Sequence, residues 1–199
     1  MEEVYSKTEN ETAWLAWQIV SETSTSLFLT GKAGTGKTTF LRKLHELSPK
    51  RMAIVAPTGV AAINAGGVTI HSFFQLPFAP FVPGSALKTD YTMRAEKIKI
   101  IRTLDLLVID EISMVRADLL DAVDATLRHY RRNEAPFGGV QLLLIGDLQQ
   151  LPPVVVESER SIIESNYQTP YFFGSKALQT LHYITIELDK VYRQNDATF

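Results

Sequence analysis

Between Gly31 and Thr38 the chain reads GKAGTGKT, three glycines leading into a lysine and a hydroxyl. This matches the Walker A pattern, which cradles phosphate. The glycines let backbone amides curl around β- and γ-phosphates, and Lys37 neutralises their charge. The following helix adds its N-terminal dipole, and the Thr38 hydroxyl is placed to ligate Mg²⁺. Gly31, Ala33, Gly34, Thr35, Gly36, Lys37, Thr38 and Thr39 are therefore the candidate nucleotide contacts. A glycine-rich turn with no ligand has the same composition, but it needs neither a strand before it nor a helix after it.

Two further clusters carry chemistry. Asp110-Glu111 closes the apolar run LLVI, as a Walker B strand does. Asp110 would join Thr38 in the Mg²⁺ shell, and Glu111 would orient or deprotonate an attacking water. Alone, two acids after a strand read as a helix cap or a solvated pair. Gly146-Asp147-Leu148-Gln149-Gln150-Leu151-Pro152-Pro153 follows another apolar run. There Gln150 can bond a terminal phosphate and report its loss, although a polar turn before two prolines is otherwise plain loop. Arg193 is a further candidate for phosphate contact, which makes Lys37, Glu111, Gln150 and Arg193 the candidate catalytic set.

Positioning these groups needs strands that end together. Leu27 to Thr30 reads as a strand before the glycine loop, with a helix from Thr38 to Leu47 stopped by Pro49. Glu11 to Val20 reads as an amphipathic helix, Met52 to Ala56 as a strand, and TGVAAINAGG as a short helix closed by Gly66-Gly67. Asp105 to Ile109, Val140 to Gly146 and His182 to Leu188 are further strands, while Met93 to Leu104 and Arg116 to Arg132 are helical. Strands alternating with helices predict an α/β, doubly wound, mostly parallel sheet with ligands at the strands' carboxyl ends. Between Gln75 and Asp90 the prolines and phenylalanines follow neither period, so the region 75–92 is expected to be an insertion.

Composition narrows the setting. The 199 residues contain no cysteine and carry a formal net charge of −2. Disulfides and thiolate metal sites are excluded, and any nucleic-acid contact must rest on a local groove. No histidine pairs with another at metal-ligand spacing, so zinc is not expected. The apolar runs are too short to span a bilayer, and the acidic N-terminus lacks a signal-peptide core. The expected location is the cytoplasm of a bacterium, or the nucleus or mitochondrion of a eukaryote. The basic runs Arg94, Lys97, Lys99, Arg102 and Arg128, Arg131, Arg132 would either line a DNA path or form solvated surface.

Read in order, GKAGTGKT, APTGVAAINAGGVTIHSFF, VIDEISMV, NEAPFGGVQLLLIGDLQQLPPV and VYRQ resemble successive motifs of the Pif (petite integration frequency) helicases. These are superfamily-one, RecD-like DNA helicases, and the resemblance runs from about Leu27 to Gln194. It implies an N-terminal RecA-like P-loop NTPase lobe, with its core at about 24–195, that uses ATP and Mg²⁺. It also implies 5'-to-3' stepping on single-stranded DNA, forked or structured DNA as substrate, and a monomer. Thr58, Gly59, Val60, Asn64, His71 and Ser72 fall on the family's first DNA-contacting motif, and Phe73 or Phe74 would stack a base. Without the resemblance that Phe pair beside Ile70 reads as core, and His71 as an ordinary loop histidine. Phe78 and Phe81 in the insertion would form a wedge at the duplex fork.

Relatives read adenine with a Gln ahead of Walker A, whereas Gln18 here is out of register. The second RecA-like lobe and its arginine finger lie outside this sequence. The chain alone is therefore expected to bind nucleotide, hydrolyse it slowly and unwind nothing. Two other readings differ in class. A P-loop kinase or ring ATPase would lack HSFF and the PFGG and QLPP series, and a non-catalytic DNA-binding lobe would show no turnover with single-stranded DNA.

Overall fold

The computed structural model describes residues 4–85 and 93–190. Six short runs become strands: Ser26–Thr30 (β1), Met52–Ala56 (β2), Val68–Thr69 (β3), Leu106–Ile109 (β4), Gln141–Ile145 (β5) and Tyr183–Glu187 (β6). They form one sheet in the order β3-β2-β4-β5-β1-β6, with every neighbouring pair parallel. The helices are Glu11–Glu22 (α1), Lys37–Leu47 (α2), Gly59–Ala65 (α3), Ile70–Phe74 (α4), Ala95–Thr103 (α5), Ala117–Arg131 (α6), Glu157–Asn166 (α7) and Lys176–Thr180 (α8).

The two-residue period of the strands divides the core in two. Leu27 and Leu29, Leu106 and Val108, and Leu143 and Ile145 face a layer that holds Trp17 and Val20 of α1 with Phe40 and Leu44 of α2. Phe28, Leu107 and Ile109, and Leu142 and Leu144 face the opposite layer, with Ile101 of α5 and Leu120, Val123 and Leu127 of α6. Covered on both sides, β4 and β5 are buried along their whole length, which is why they read as continuous apolar runs rather than alternating ones. Packing begins ahead of residue 24, because α1 buries Ala13, Ala16, Trp17 and Val20.

The helix read in TGVAAINAGG is α3, ended by Gly66 in the left-handed region. A Cβ on Gly67 would lie 2.2 Å from the Ile54 carbonyl oxygen, so only glycine lets this helix return flush against β2. Four of these strands and helices were not anticipated: the two-residue β3, α4 within IHSFF, α7 after the double proline, and α8. α4 and α8 are five residues each, too short for a periodic signal. They depend on caps, with Thr69 Oγ1 accepting from the Ser72 N–H and Ser175 Oγ from the Leu178 N–H.

In the second basic cluster Arg128 and Arg131 are structural, which fits neither a DNA path nor plain solvated surface, while Arg132 is exposed. Arg131 donates to the carbonyls of Gly138 at 2.8 Å, Ile101 at 2.7 Å and Leu104 at 3.0 Å, so it ties the end of α5 to the PFGG turn. Arg128 Nε reaches both Asp124 oxygens, and Asp124 in turn accepts from the Phe137 N–H. Phe137, at φ 53°, is fully buried. Phe137 and Gly138 thus anchor the otherwise largely exposed start of the NEAPFGGVQ stretch against α6. In the first basic run, Lys97 and Arg102 likewise donate to the carbonyls of Ser72 and Tyr130, while Arg94 and Lys99 remain exposed.

At the opposite end of the sheet from the glycine loop, Arg51 Nε and Nη2 fork onto Asp105 at 2.8 and 2.6 Å and join the starts of β2 and β4. Hydrogen bonds from Arg51 hold the Asp105 carboxyl at about 2, below its ordinary 3.8. A depressed acid stabilises the fold above its unfolded value and loses that contribution as pH falls through the folded one. We predict that Asp105→Asn costs less than about 1 kcal/mol at pH 6, since the pair is exposed. The difference should close between pH 4 and pH 2 when read by urea denaturation, and a gap independent of pH would contradict the pairing.

Candidate nucleotide and nucleic-acid sites

In the parallel order, β4, β5 and β1 are consecutive, so the segments leaving their carboxyl ends meet. The loop after β1 holds Gly31, Gly34 and Gly36 at φ 148°, 80° and 94°. A Cβ on Gly31 would come within 2.6 Å of both the Leu188 carbonyl oxygen and Thr35 Oγ1, so a side chain there would break the loop's seat against the end of β6. Thr35 is buried, and its hydroxyl donates to the Lys32 carbonyl at 2.8 Å. Gly36 caps α2, whose first residue is Lys37. The Lys37 ammonium donates to the carbonyls of Gly31 and Lys32 across the loop, where it sits at the mouth of the amide cradle.

A cavity of about 950 Å³ opens over this loop, lined by Ala33, Gly34, Thr35, Gly36, Lys37, Thr38 and Thr39 together with Glu111 and Gln150. Residues from three separate strand ends thus share one space. Glu111 takes the left-handed region, φ 51° and ψ 44°, a conformation that costs a non-glycine residue about 1–3 kcal/mol and tends to collect at functional sites. Gly146 makes that turn possible, because a Cβ there would meet Ile112 Cγ2 at 2.8 Å. Next to it, burial pushes the Asp110 carboxyl up to about 6, opposed by the hydrogen bond from the Glu111 N–H and by the charge of Lys37.

Asp147 is a residue to which the sequence reading gave no role. It is buried, and its carboxylate accepts from the Gln149 N–H at 2.9 Å and from Gln150 Nε2 at 3.2 Å. It therefore fixes the loop that brings Gln150 to the cavity. An Asp before a turn is a readable signal, masked here by the choice of Gln150 as the sensor. The far wall of the cavity is made by Val4, Tyr5, Ser6, Glu9, Asn10 and Ala13. The Tyr5 ring stacks on Phe40 at 5.8 Å. Gln18 does not line this space, and its amide faces the Glu22 carboxylate. Arg193 lies outside the described residues.

The second set of candidates lies along β2, α3 and α4. Thr58 caps α3 with its hydroxyl accepting from the Ala61 N–H, and Gly59, Val60, Asn64 and Ser72 are exposed. A cavity of about 410 Å³ runs beside them, lined by Thr58, His71, Phe78, Arg116 and Val154 among others. The expectation that Phe73 or Phe74 stacks a base is corrected. Phe73 is 7% exposed and Phe74 fully buried, both within the core under α4. The exposed ring is Phe78, 81% accessible and stacked on His71 at 4.6 Å with the planes 23° apart. Burial, then the charge of Arg116, holds His71 below its ordinary pKa, so it stacks as the neutral ring at pH 7. Phe81 is half-buried against the core, and its N–H donates to Asp118, which removes it from the wedge.

The sheet order and the shared cavity define a RecA-like P-loop lobe. Residues 8–199 match the family model described as PIF1-like helicase. The chain is 43% identical over 178 residues to the ATP-dependent DNA helicase PIF1 of Homo sapiens, covering 87% of this chain and 26% of that protein. It is 39% identical over 182 residues to PIF1 of Saccharomyces cerevisiae, covering 88% of this chain and 20% of that one. The solved structure of a Bacteroides Pif1 bound to ssDNA superposes with a TM-score of 0.87 at 44% identity, over 94% of this chain and 43% of that chain. The same TM-score, at 43% identity over 94% of this chain and 45% of that one, relates it to a structure of two coordinating Pif1 helicases at forked dsDNA. This chain belongs to the PIF1-like helicase family. It spans about a quarter of the length of the human relative it matches.

The burial difference among the phenylalanines is measurable. Phe74→Ala should lose about 3–5 kcal/mol of stability and Phe78→Ala no more than about 0.5 kcal/mol, as read by urea denaturation. Similar losses at both positions would contradict this assignment of core and surface.

Proposed function

We propose that this chain is the ATP-binding motor lobe of a DNA helicase that moves along single-stranded DNA. The observation that carries the reading is the shared cavity, where Lys37 and Thr38, Glu111 and Gln150 line one space from three strand ends. In it the loop amides and Lys37 hold the β- and γ-phosphates, Glu111 takes the proton of the water that attacks the γ-phosphorus, and Gln150 bonds the γ-phosphate. Thr38 and Asp110 would suit Mg²⁺, since a hydroxyl and a part-buried carboxylate are oxygen donors of the kind that ion takes. When bound, the ion neutralises charge on the phosphate oxygens. The far wall at Tyr5, Glu9 and Asn10 would meet the purine end of the ligand.

The DNA side is the groove lined by Thr58 and His71, with exposed Asn64 on α3 and Ser72 on α4, and with Phe78 offering the stacking face that Phe73 and Phe74 cannot. Two relatives are described as acting on or binding DNA of this kind, ssDNA in one case and forked dsDNA in the other. Phosphate contact here would weaken as salt rises.

Lys37→Ala, carried in a protein of the relatives' full length, should reduce DNA-stimulated ATP hydrolysis by about 10²-fold or more, and retained turnover would contradict the phosphate role. In the same protein Phe78→Ala should spare single-strand-stimulated hydrolysis and reduce unwinding of a fork. Equal losses in the two assays would defeat the wedge assignment.

A further inference from the structure

Arg116 stands at the N-cap of α6, two residues beyond the short helical turn Ile112–Met114 that follows Glu111. Its Nε and Nη2 fork onto the two Asp118 oxygens, each at 2.8 Å, and its Nη1 reaches Glu159 Oε2 at 2.5 Å on α7. Asp118 is 2% exposed and uses Oδ2 a second time to accept from the Phe81 N–H at 3.1 Å. One guanidinium therefore joins three segments that the sequence keeps apart. The first leaves the Asp110-Glu111 strand end, the second is the Pro/Phe-rich insertion at Phe81, and the third is α7, which begins seven residues after Gln150. Arg116 also lines the groove with Thr58, His71 and Phe78.

We propose that Arg116 is a positioning residue that couples the nucleotide cavity to the DNA-facing groove, an inference that rests on the motor reading above. Loss of the γ-phosphate changes what Glu111 and Gln150 bond to. Of the chains leaving them, Ile112 to Val115 ends on Arg116, and Leu151 to Val156 leads into α7, whose first turn carries Glu159. A relative shift of those two segments falls on the single Arg116–Glu159 contact, because the bidentate fork onto Asp118 holds the guanidinium to α6. Through Asp118 the shift reaches the Phe81 backbone, and so the segment that carries Phe78 over His71. Surface charge alone does not account for the arrangement. Arg116 is only 16% exposed and Glu159 only 20%, and a buried pair of this kind is weak as a source of stability.

The test measures linkage in a protein of the relatives' full length. The affinity for a labelled oligothymidine is determined with and without a non-hydrolysable ATP analogue, and the ratio is the coupling factor, about 5- to 150-fold where two sites communicate. Arg116→Gln and Glu159→Ala should each bring that factor towards one. In Glu159→Ala, which lies outside both cavity linings, DNA-free ATP hydrolysis and analogue affinity should stay within about twofold of the unmodified protein. Glu159→Ala removes a single arm and leaves the Arg116–Asp118 fork in place, so it decides the matter if Arg116→Gln fails to fold. A factor that is unchanged in a folded variant, or equal to one in the unmodified protein, overturns the coupling and leaves the motor reading intact. An unmodified protein that binds the oligonucleotide but neither binds nor hydrolyses ATP would overturn the motor reading itself.

Discussion

A triphosphate places several negative charges within a few ångströms of one another, and water will release them only to a site whose donors are already fixed. On the proposed motor reading, that requirement organises this lobe. Donors, a base and a sensor must come from different parts of the chain and still meet in one space, which a parallel sheet achieves by ending adjacent strands at the same edge. The order β4-β5-β1 delivers Asp110-Glu111, the Gln150 loop and the glycine loop side by side. Parallel pairing in turn needs crossover helices on both faces, hence the two cores and the central strands β4 and β5 with no polar side.

Precision at that edge comes from backbone conformations most residues avoid. Gly31 sits where a Cβ would strike both Leu188 and Thr35, and Gly146 where it would strike Ile112. Glu111 accepts the left-handed region without being glycine. These positions answer one another. The turn that aims Glu111 at the cavity runs against Gly146, which begins the loop held by Asp147 and carrying Gln150. The water-activating and phosphate-sensing candidates are thus in mechanical contact before any ligand is considered.

Much of this was legible in the sequence, because phosphate chemistry leaves local marks. GKAGTGKT between a strand and a helix, two acids ending an apolar run, and QLPP after another each state a residue type, a spacing and an element. What could not be read were contacts between distant segments. Whether Phe73 and Phe74 face a base or the core depends on which side of a five-residue helix meets the sheet, and five residues carry no usable period. Arg128 and Arg131 look like a basic patch until the carbonyls at the end of α5 and in the PFGG turn are placed around Arg131. Composition could not separate a patch from a staple, since both use the same residues.

Those buried phenylalanines also bear on how the DNA side is built. α4 is too short to hold itself in water, yet His71 and Ser72 need a fixed backbone if they are to meet phosphates in register. Ile70, Phe73 and Phe74 supply it by sinking one face of the turn into the core. Lys97 then closes the other end, donating to the Ser72 carbonyl while lying over the Phe73 ring. With α4 anchored, His71 becomes a fixed plate on which Phe78 can stack, so the exposed aromatic belongs to the insertion and its support to the lobe. An aromatic held in this way rests on one ring contact and can be exchanged for another flat partner, whereas one buried in α4 could leave its place only by unfolding the turn that carries it.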